Sequence, residues 1–237
     1  MRFDLFAANV LNVSRNKAAE LILGGKILLN GAVCDKPSFK ASPGDEILLT
    51  DEIYVGRGAL KLKTFLRNFA LEESARGKEA LDVGASTGGF TQILLANGAK
   101  SVTCVDVGTN QLDPALKADT RVKFYENTDV REFRGGKFSL ITCDVSFISL
   151  LEILPALNEN AANGALIIAL FKPQFEVGRE AKRNKKGVVT DAKAVKAARA
   201  KFELAASRLG WILEISALCE IKGKEGNAEF FYAFNKR

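Results

Sequence analysis

Residues 80–90 read ALDVGASTGGF, a short apolar strand running into a glycine-rich turn. Glycines in such a turn let the backbone come close to a ligand, so the stretch bears on both the fold and the site. Outward from it, strand-like apolar runs recur at 101–105, 122–125, 139–143 and 165–170. Helix-like stretches lie between or after them near 89–97, 149–157 and 192–209. Such alternation is the pattern of a parallel sheet covered by helices on both faces, and the fold class is read as α/β. Two closing strands, 211–219 and 229–234, are expected to pair as an antiparallel edge.

The first fifty residues follow another pattern. Residues 14–25, SRNKAAELILGG, form a helical repeat that Ser14 can cap and Gly24 or Gly25 can end. A strand is expected at 26–29, a tight hairpin at Asn30-Gly31, a turn at Pro43-Gly44-Asp45 and a strand at 47–49. Residues 51–58, DEIYVGRG, read as a polar connector, and from Ala59 onward ALKLKTFLRNFAL has helical spacing. The expected organisation is a small α+β domain at 1–50, a linker at 51–58 and a larger α/β domain at 59–237.

Composition removes several chemistries. Histidine is absent from all 237 residues, which excludes Ser-His-Asp triads and imidazole acid–base catalysis. Cys34, Cys104, Cys143 and Cys219 are scattered without metal-ligand spacing, so neither a metal site nor a disulfide framework is expected. The longest apolar run, 165–171, is too short to span a bilayer, and the N-terminus lacks a signal-peptide pattern. A cytoplasmic monomer without membrane contact is expected. The net charge of +6 favours a polyanionic partner, nucleic acid first.

The turn at 84–89 does not fit the dinucleotide fingerprint G-x-G-x-x-G, and no Lys-Ser or Lys-Thr pair follows it as a phosphate loop requires. What it offers is Asp82 at one strand end and Asp106 at the next. Ligands of open α/β sheets bind at the carboxyl ends of the strands, so both carboxylates are expected in one crevice, Asp106 facing a ribose diol.

Resemblance adds detail. RFDLFAANVLNVSRNKAAELILGGKILLNG followed by SPGDEI is similar to the RNA-binding S4 domain, named after a small-subunit ribosomal protein. That resemblance implies that Arg2, Arg15, Lys17 and Lys26 lie against structured RNA, where composition alone allows a solvated polar face. LDVGASTGGFT resembles the cofactor motif of Rossmann-like S-adenosylmethionine-dependent methyltransferases of the FtsJ-like group. Together with GRGALKL, CDVSFISL, FKPQFEVG and GNAEFF in that order, the chain resembles the TlyA family of ribosomal RNA cytidine 2′-O-methyltransferases along nearly its whole length. The resemblance implies cofactor contacts from Asp82, Gly84, Ala85, Ser86, Gly88, Gly89, Phe90, Asp106, Val107, Asp129 and Asp144. It also places Arg57 at the RNA. Members methylate large-subunit RNA and some also small-subunit RNA, and loss of the modification is associated with capreomycin resistance. A start almost at RFD and an end soon after EFFYAFNKR match the shorter subgroup, for which the large-subunit target is expected. The haemolysin name attached to the family finds no signal or membrane span in this sequence, and a non-catalytic RNA-binding assembly factor is the other rival.

Methyl transfer to a 2′-hydroxyl is an in-line displacement in which the hydroxyl must lose its proton. The family tetrad maps onto Lys61, Asp144, Lys172 and Glu229, with Lys61 chosen over Lys63 by the family pattern. Lysine, ordinarily basic at a pKa of about 10.4, needs desolvation or a nearby cation to act as a base. Lys172 is expected as the base, Lys61 as its neighbouring cation, and Glu229 as the group that orients one of the two. Asp144 then orients either the lysine or the donor's sulfonium. Cys143 is read as core, because strand alternation points it away from whatever Asp144 faces. The basic loop 177–188 is read as an RNA clamp, a cofactor lid or a solvated loop, mobile without RNA in each case.

Overall fold

The computed structural model describes residues 1–50 and 52–237. The chain divides into two compact units, Met1–Ile53 and Tyr54–Arg237. Asp51, in the expected linker, lies outside the described residues. At the other end of that stretch, helix α3 already begins at Arg57, because Gly56 supplies the extended residue from which the helix starts.

In the first unit, α1 (Phe3–Leu11) and α2 (Arg15–Leu23) pack beside a three-stranded antiparallel sheet of order β2-β1-β3, made of Ile27–Leu29 (β1), Ala32–Val33 (β2) and Ile47–Leu49 (β3). Ser14 accepts a hydrogen bond from Lys17 N as the N-cap of α2. Asn30 and Gly31 both have positive φ, 51° and 79°, which gives the hairpin turn its twist. Phe3, Ala7, Ala18, Ile22 and Ile27 are the core of the unit.

The second unit is built on a seven-stranded sheet. Its strands are β4 (Glu79–Val83), β5 (Ser101–Val105), β6 (Val122–Tyr125), β7 (Phe138–Cys143), β8 (Ala161–Phe171), β9 (Trp211–Leu218) and β10 (Phe230–Lys236), in the order β6-β5-β4-β7-β8-β10-β9. The first five in that order are parallel, and β10 runs antiparallel between β8 and β9. Helices cover both faces. On one, α3 (Arg57–Asn68) and α4 (Gly89–Ala96) bury Leu62, Phe65, Leu66, Phe90, Ile93 and Leu94 against Ala80, Val102 and Leu140. On the other, α6 (Leu150–Asn160) and α8 (Ala192–Arg208) bury Ile153, Leu154, Leu157 and Phe202 against Leu81, Val105, Ile141 and Ile167. Each such side chain contributes roughly 1.5–3 kcal/mol relative to an exposed one. Two short α-helices, α5 (Pro114–Ala118) and α7 (Pro173–Glu176), and a 3-10 turn at Glu72–Ala75 complete the unit.

Register places the site. Val83 on β4 pairs with both Val105 on β5 and Cys143 on β7, so Gly84, Asp106 and Asp144 are each the first residue past a strand end, side by side. Cys143 on β7 pairs with Ala169 on β8, and Phe171 at the end of β8 pairs with Phe230 at the start of β10. Lys172 and Glu229 therefore flank the same edge.

Candidate active site

The glycine turn follows β4 because nothing larger fits. Gly84 has φ +77°, and a Cβ there would lie 2.8 Å from the Asp144 carbonyl oxygen. Beside it is a cavity of about 370 Å3 lined by Gly84, Ser86, Asp106, Val107, Asp129 and Asp144 among polar and turn residues, and by Val83, Val105, Val130, Val145 and Ile153. Asp106 accepts hydrogen bonds from the backbone N–H groups of Ser86 and Gly108, each at 2.7 Å. An ionised carboxylate has about four acceptor positions, so two remain for a diol. An apolar slot with a free carboxylate edge suits a nucleoside, and the residues present fit S-adenosylmethionine. Asp129 lines the slot with its carboxylate already gripped by Arg131 at 2.6 Å.

Asp82 departs from expectation. It precedes the last residue of β4, so its side chain alternates with Leu81 and Val83 and points under the turn toward α4. There it is fully buried and accepts from Thr91 Oγ1 at 2.7 Å and Thr142 Oγ1 at 2.8 Å. Burial raises its pKa to about 6, with the two threonines pulling the other way. It supports the turn from beneath and is absent from the cavity wall. Gly88 is likewise turned from the cavity, against Leu112 and Leu116. Ala85, Gly89 and Phe90 line a second space, of about 220 Å3, with Arg57, Asp144 and Lys172.

A third cavity, of about 520 Å3, is lined by Arg57, Lys61, Lys172 and Glu229, by Lys186 of the basic loop, by Ser146, Phe147, Gln174, Phe175 and Asn227 from the quoted motifs, which carry no individual role there, and by Lys224, which no sequence signal marks. The two lysines are paired separately. Phe65 on α3 stacks on Phe231 of β10, ring centroids 4.5 Å apart. One turn before Phe65 and two residues before Phe231, Lys61 Nζ meets Glu229 Oε2 at 2.6 Å, both groups buried. Glu229 Oε1 lies where a Cβ on Gly223 would come within 2.5 Å, so only glycine allows that approach. Lys172 Nζ stands 2.6 Å from Asp144 Oδ1 and donates a hydrogen bond to Ser146 Oγ at 2.9 Å. Glu229 thus orients Lys61, and Asp144 stands by Lys172. Of the two lysines that Glu229 is expected to orient, it is therefore Lys61 that it holds, and both lysines line the third cavity.

Cys143 is fully buried in the apolar layer, and burial pushes its thiol pKa up, which leaves no nucleophile there. The basic loop carries local hydrogen bonds: Asn184 Oδ1 accepts from Lys186 N and Val188 N, and Val189 N donates to Asn227 Oδ1. In the first unit, Arg2 and Arg15 both grip the buried Asp4, at 2.9 and 3.0 Å. The Arg2 hydrogen bond is the main cause of the Asp4 pKa falling to about 2. The two guanidiniums, half-exposed, are thereby fixed on one surface. Lys17 pairs with Glu20 at 3.4 Å, Lys26 N–H donates to Leu21 O, and Arg57 donates to Lys222 O at 2.7 Å.

A mostly parallel seven-stranded sheet with an antiparallel β10 next to its edge, a glycine turn after β4 and an acid after β5 defines a Rossmann-like methyltransferase. Residues 54–236 match the family model described as FtsJ-like methyltransferase, and residues 1–47 match the S4 domain. A Campylobacter jejuni protein named 23S rRNA (cytidine-2′-O)-methyltransferase TlyA is 48% identical over 100% of both chains. A Mycobacterium tuberculosis protein named 16S/23S rRNA (cytidine-2′-O)-methyltransferase TlyA is 40% identical over 92% of this chain and 83% of its own. A solved structure from Streptococcus thermophilus carrying a hemolysin label has a TM-score of 0.74 at 39% identity, covering 100% of this chain and 88% of its own. The chain belongs to the TlyA family of FtsJ-like methyltransferases that carry an S4 domain.

Proposed function

We propose that the protein methylates the ribose 2′-hydroxyl of a cytidine in ribosomal RNA, large-subunit RNA being the substrate, with S-adenosylmethionine as donor. The observation that carries this reading is the gathering of Lys61, Asp144, Lys172 and Glu229 at the edge of one sheet, between a nucleoside-shaped slot and a basic cavity. The bound cofactor supplies an electrophilic methyl group on a sulfonium. Asp106 holds the cofactor ribose, and the backbone of Gly84 and Ser86 with the walls at Val107, Asp129 and Asp144 fixes the rest. Lys172, in the wall between the second and third cavities, takes the 2′-hydroxyl proton. The Lys61–Glu229 pair forms the far wall and, in its neutralised form, places the ribose without adding net charge. In-line transfer requires the reacting atoms about 3–3.5 Å apart, and the residues lining these adjoining cavities would hold donor and acceptor for it.

The first unit, through Arg2, Arg15, Lys17 and Lys26, docks on folded RNA, and Arg57 meets the strand at the cavity. Phosphate contacts of this kind give salt-dependent affinity without sequence information. The enzyme works as a monomer in the cytoplasm, where its substrate is. Among the described residues no helix is long and apolar enough to cross a membrane.

Mapping of 2′-O-methylcytidine on both ribosomal RNAs from cells with and without the gene tests the reading. A gene-dependent cytidine in the large-subunit RNA is expected. Identical maps, together with no transfer to purified ribosomal subunits in vitro, would overturn it.

A further inference from the structure

Lys172 Nζ has two close neighbours that act differently. Asp144 Oδ1 is 2.6 Å away, yet the contact is out of line for a hydrogen bond, and Oδ1 accepts none from any described residue. Ser146 Oγ, at 2.9 Å, accepts the hydrogen bond that Nζ does donate. Coulomb attraction depends on distance and hardly on angle, whereas a hydrogen bond weakens steeply when bent. Asp144 therefore fixes where the nitrogen sits, and Ser146 fixes how it is turned.

Ser146 is also the residue common to the walls of all three cavities: the nucleoside slot, the space beneath the glycine turn and the basic cavity. Methyl donor and acceptor have to meet where those spaces adjoin. In the sequence it stands inside the CDVSFISL motif, two residues after Asp144 and past the end of β7, with no role of its own assigned there.

We infer that Ser146 is a positioning residue for methyl transfer, one that directs the proton-accepting face of Lys172 at the 2′-hydroxyl; the inference rests on the 2′-O-methylation reading above. A neutral amine has two N–H bonds and one lone pair. One N–H is held by Ser146. The second is drawn toward the Asp144 carboxylate, beside which a lone pair would be repelled. The lone pair is left the remaining corner, on the side of the cavities that Lys172 lines. During transfer the 2′-oxygen would bond to the methyl carbon as the methyl C–S bond breaks, the electron pair staying on the sulfur that leaves as a neutral thioether; the 2′-O–H bond breaks in the same process, and its proton becomes the third N–H of Lys172, released to water afterwards.

The test compares full-length Ser146→Ala and Ser146→Thr with wild type. Ser146 is exposed, so neither change opens a hole in the core. With both substrates saturating, Ser146→Ala should slow single-turnover methylation by at least about tenfold, a share of what a positioned base supplies. Calorimetric affinity for S-adenosylmethionine should stay within about twofold, because the lost bond is to Lys172. Ser146→Thr, which keeps the hydroxyl, should recover to within about threefold of wild type. In the cofactor-free protein, relaxation of a labelled Lys172 ε-methylene should show a looser side chain in the alanine variant and not in the threonine one. A wild-type rate in Ser146→Ala overturns the inference. So does an equal loss in both variants, a loss confined to cofactor affinity, or an unchanged Lys172 side chain. Failure of the underlying reading is distinguishable, because it appears as a wild-type protein that transfers nothing to ribosomal RNA, and that result overturns both.

Discussion

Lys61 and Lys172 are equally buried, each 8% exposed, and each ammonium lies 2.6 Å from a carboxylate. Their partners differ: the Glu229 side chain is 2% exposed and that of Asp144 is 19% exposed. Lys61 is aligned with Glu229 in a hydrogen bond, wedged behind the Phe65–Phe231 stack. Lys172 is misaligned with Asp144 and bonded to an exposed serine; both lysines line the third cavity, and Lys172 also borders the space beneath the glycine turn. Equal burial and equal distance therefore do not make equal roles. The sealed, aligned pair has the geometry of a strut, and the open, misaligned one leaves a face of its lysine toward the cavities.

The widest separation between the two should come from Lys172→Arg. Arginine keeps the charge but cannot lose its proton near neutral pH, so single-turnover methylation should fall roughly a hundred- to ten-thousandfold, with cofactor and RNA affinities little changed. An active arginine variant would break the comparison at its centre, since Lys172 would then act by charge alone.

Next comes the strut. Glu229→Ala leaves Lys61 as a buried, uncompensated cation, a change that costs about 3–5 kcal/mol of stability. Asp144→Ala, at the more open pair, should cost less than about half of that, since solvent shields the lysine left behind. Urea unfolding of both variants decides it; equal losses would mean that the two pairs are sealed alike.

Asp82 is a third sealed charge and gives a pH signature. In an unfolded chain an aspartate titrates near about 3.9, but here near about 6 because of burial. A carboxyl with a raised native pKa holds its proton more tightly when folded. Its favourable contribution is thus present at low pH, is lost between about pH 4 and 6, and stays lost above. The gap amounts to about 3 kcal/mol. Measured from pH 4 to 7, Asp82→Asn should gain on wild type by about that much as the pH rises; parallel curves would contradict the assignment.

The smallest effect belongs to the open acid. Asp106→Ala should weaken S-adenosylmethionine binding by about 2 kcal/mol, the scale of hydrogen bonds to an ionised carboxylate, and leave RNA binding as it is. Unaltered calorimetric affinity would remove Asp106 from the cofactor site.

Much of the sheet could be read from the sequence because its strands are apolar runs closed by turn residues. Ser101–Val105 and Val122–Tyr125 have the expected bounds. By contrast, β8 begins at Ala161, before the run expected from 165, because Gly164 and its polar neighbours hide the start. Helix α1 was obscured because FDLFAANVL lacks a capping side chain at Arg2, and α7 because four residues after Lys172 are too few for a periodic pattern. At the site, types and edge were legible and pairings were not. Lys61 and Glu229 are 168 residues apart, and only the packing of α3 on β10 joins them. Asp82 was misplaced because a residue one short of the strand end obeys alternation, while Asp106, just past its strand, does not have to. Ser146 had no signal beyond standing near Asp144 in the CDVSFISL motif.

β10 lies between β8 and β9, and the residue just before it closes the Lys61 pair. Synthesis delivers this strand after every other strand of the sheet. A nascent chain that has not reached it has an open β8 edge, a lysine with no counter-ion on α3 and no far wall to the basic cavity. Domains fold as units once their parts are available, so the sheet and the Lys61 pair are completed by the same segment. A copy terminated before β10 lacks Glu229 and is expected to be inactive, with β8 left as an unpaired strand edge of the kind that invites aggregation.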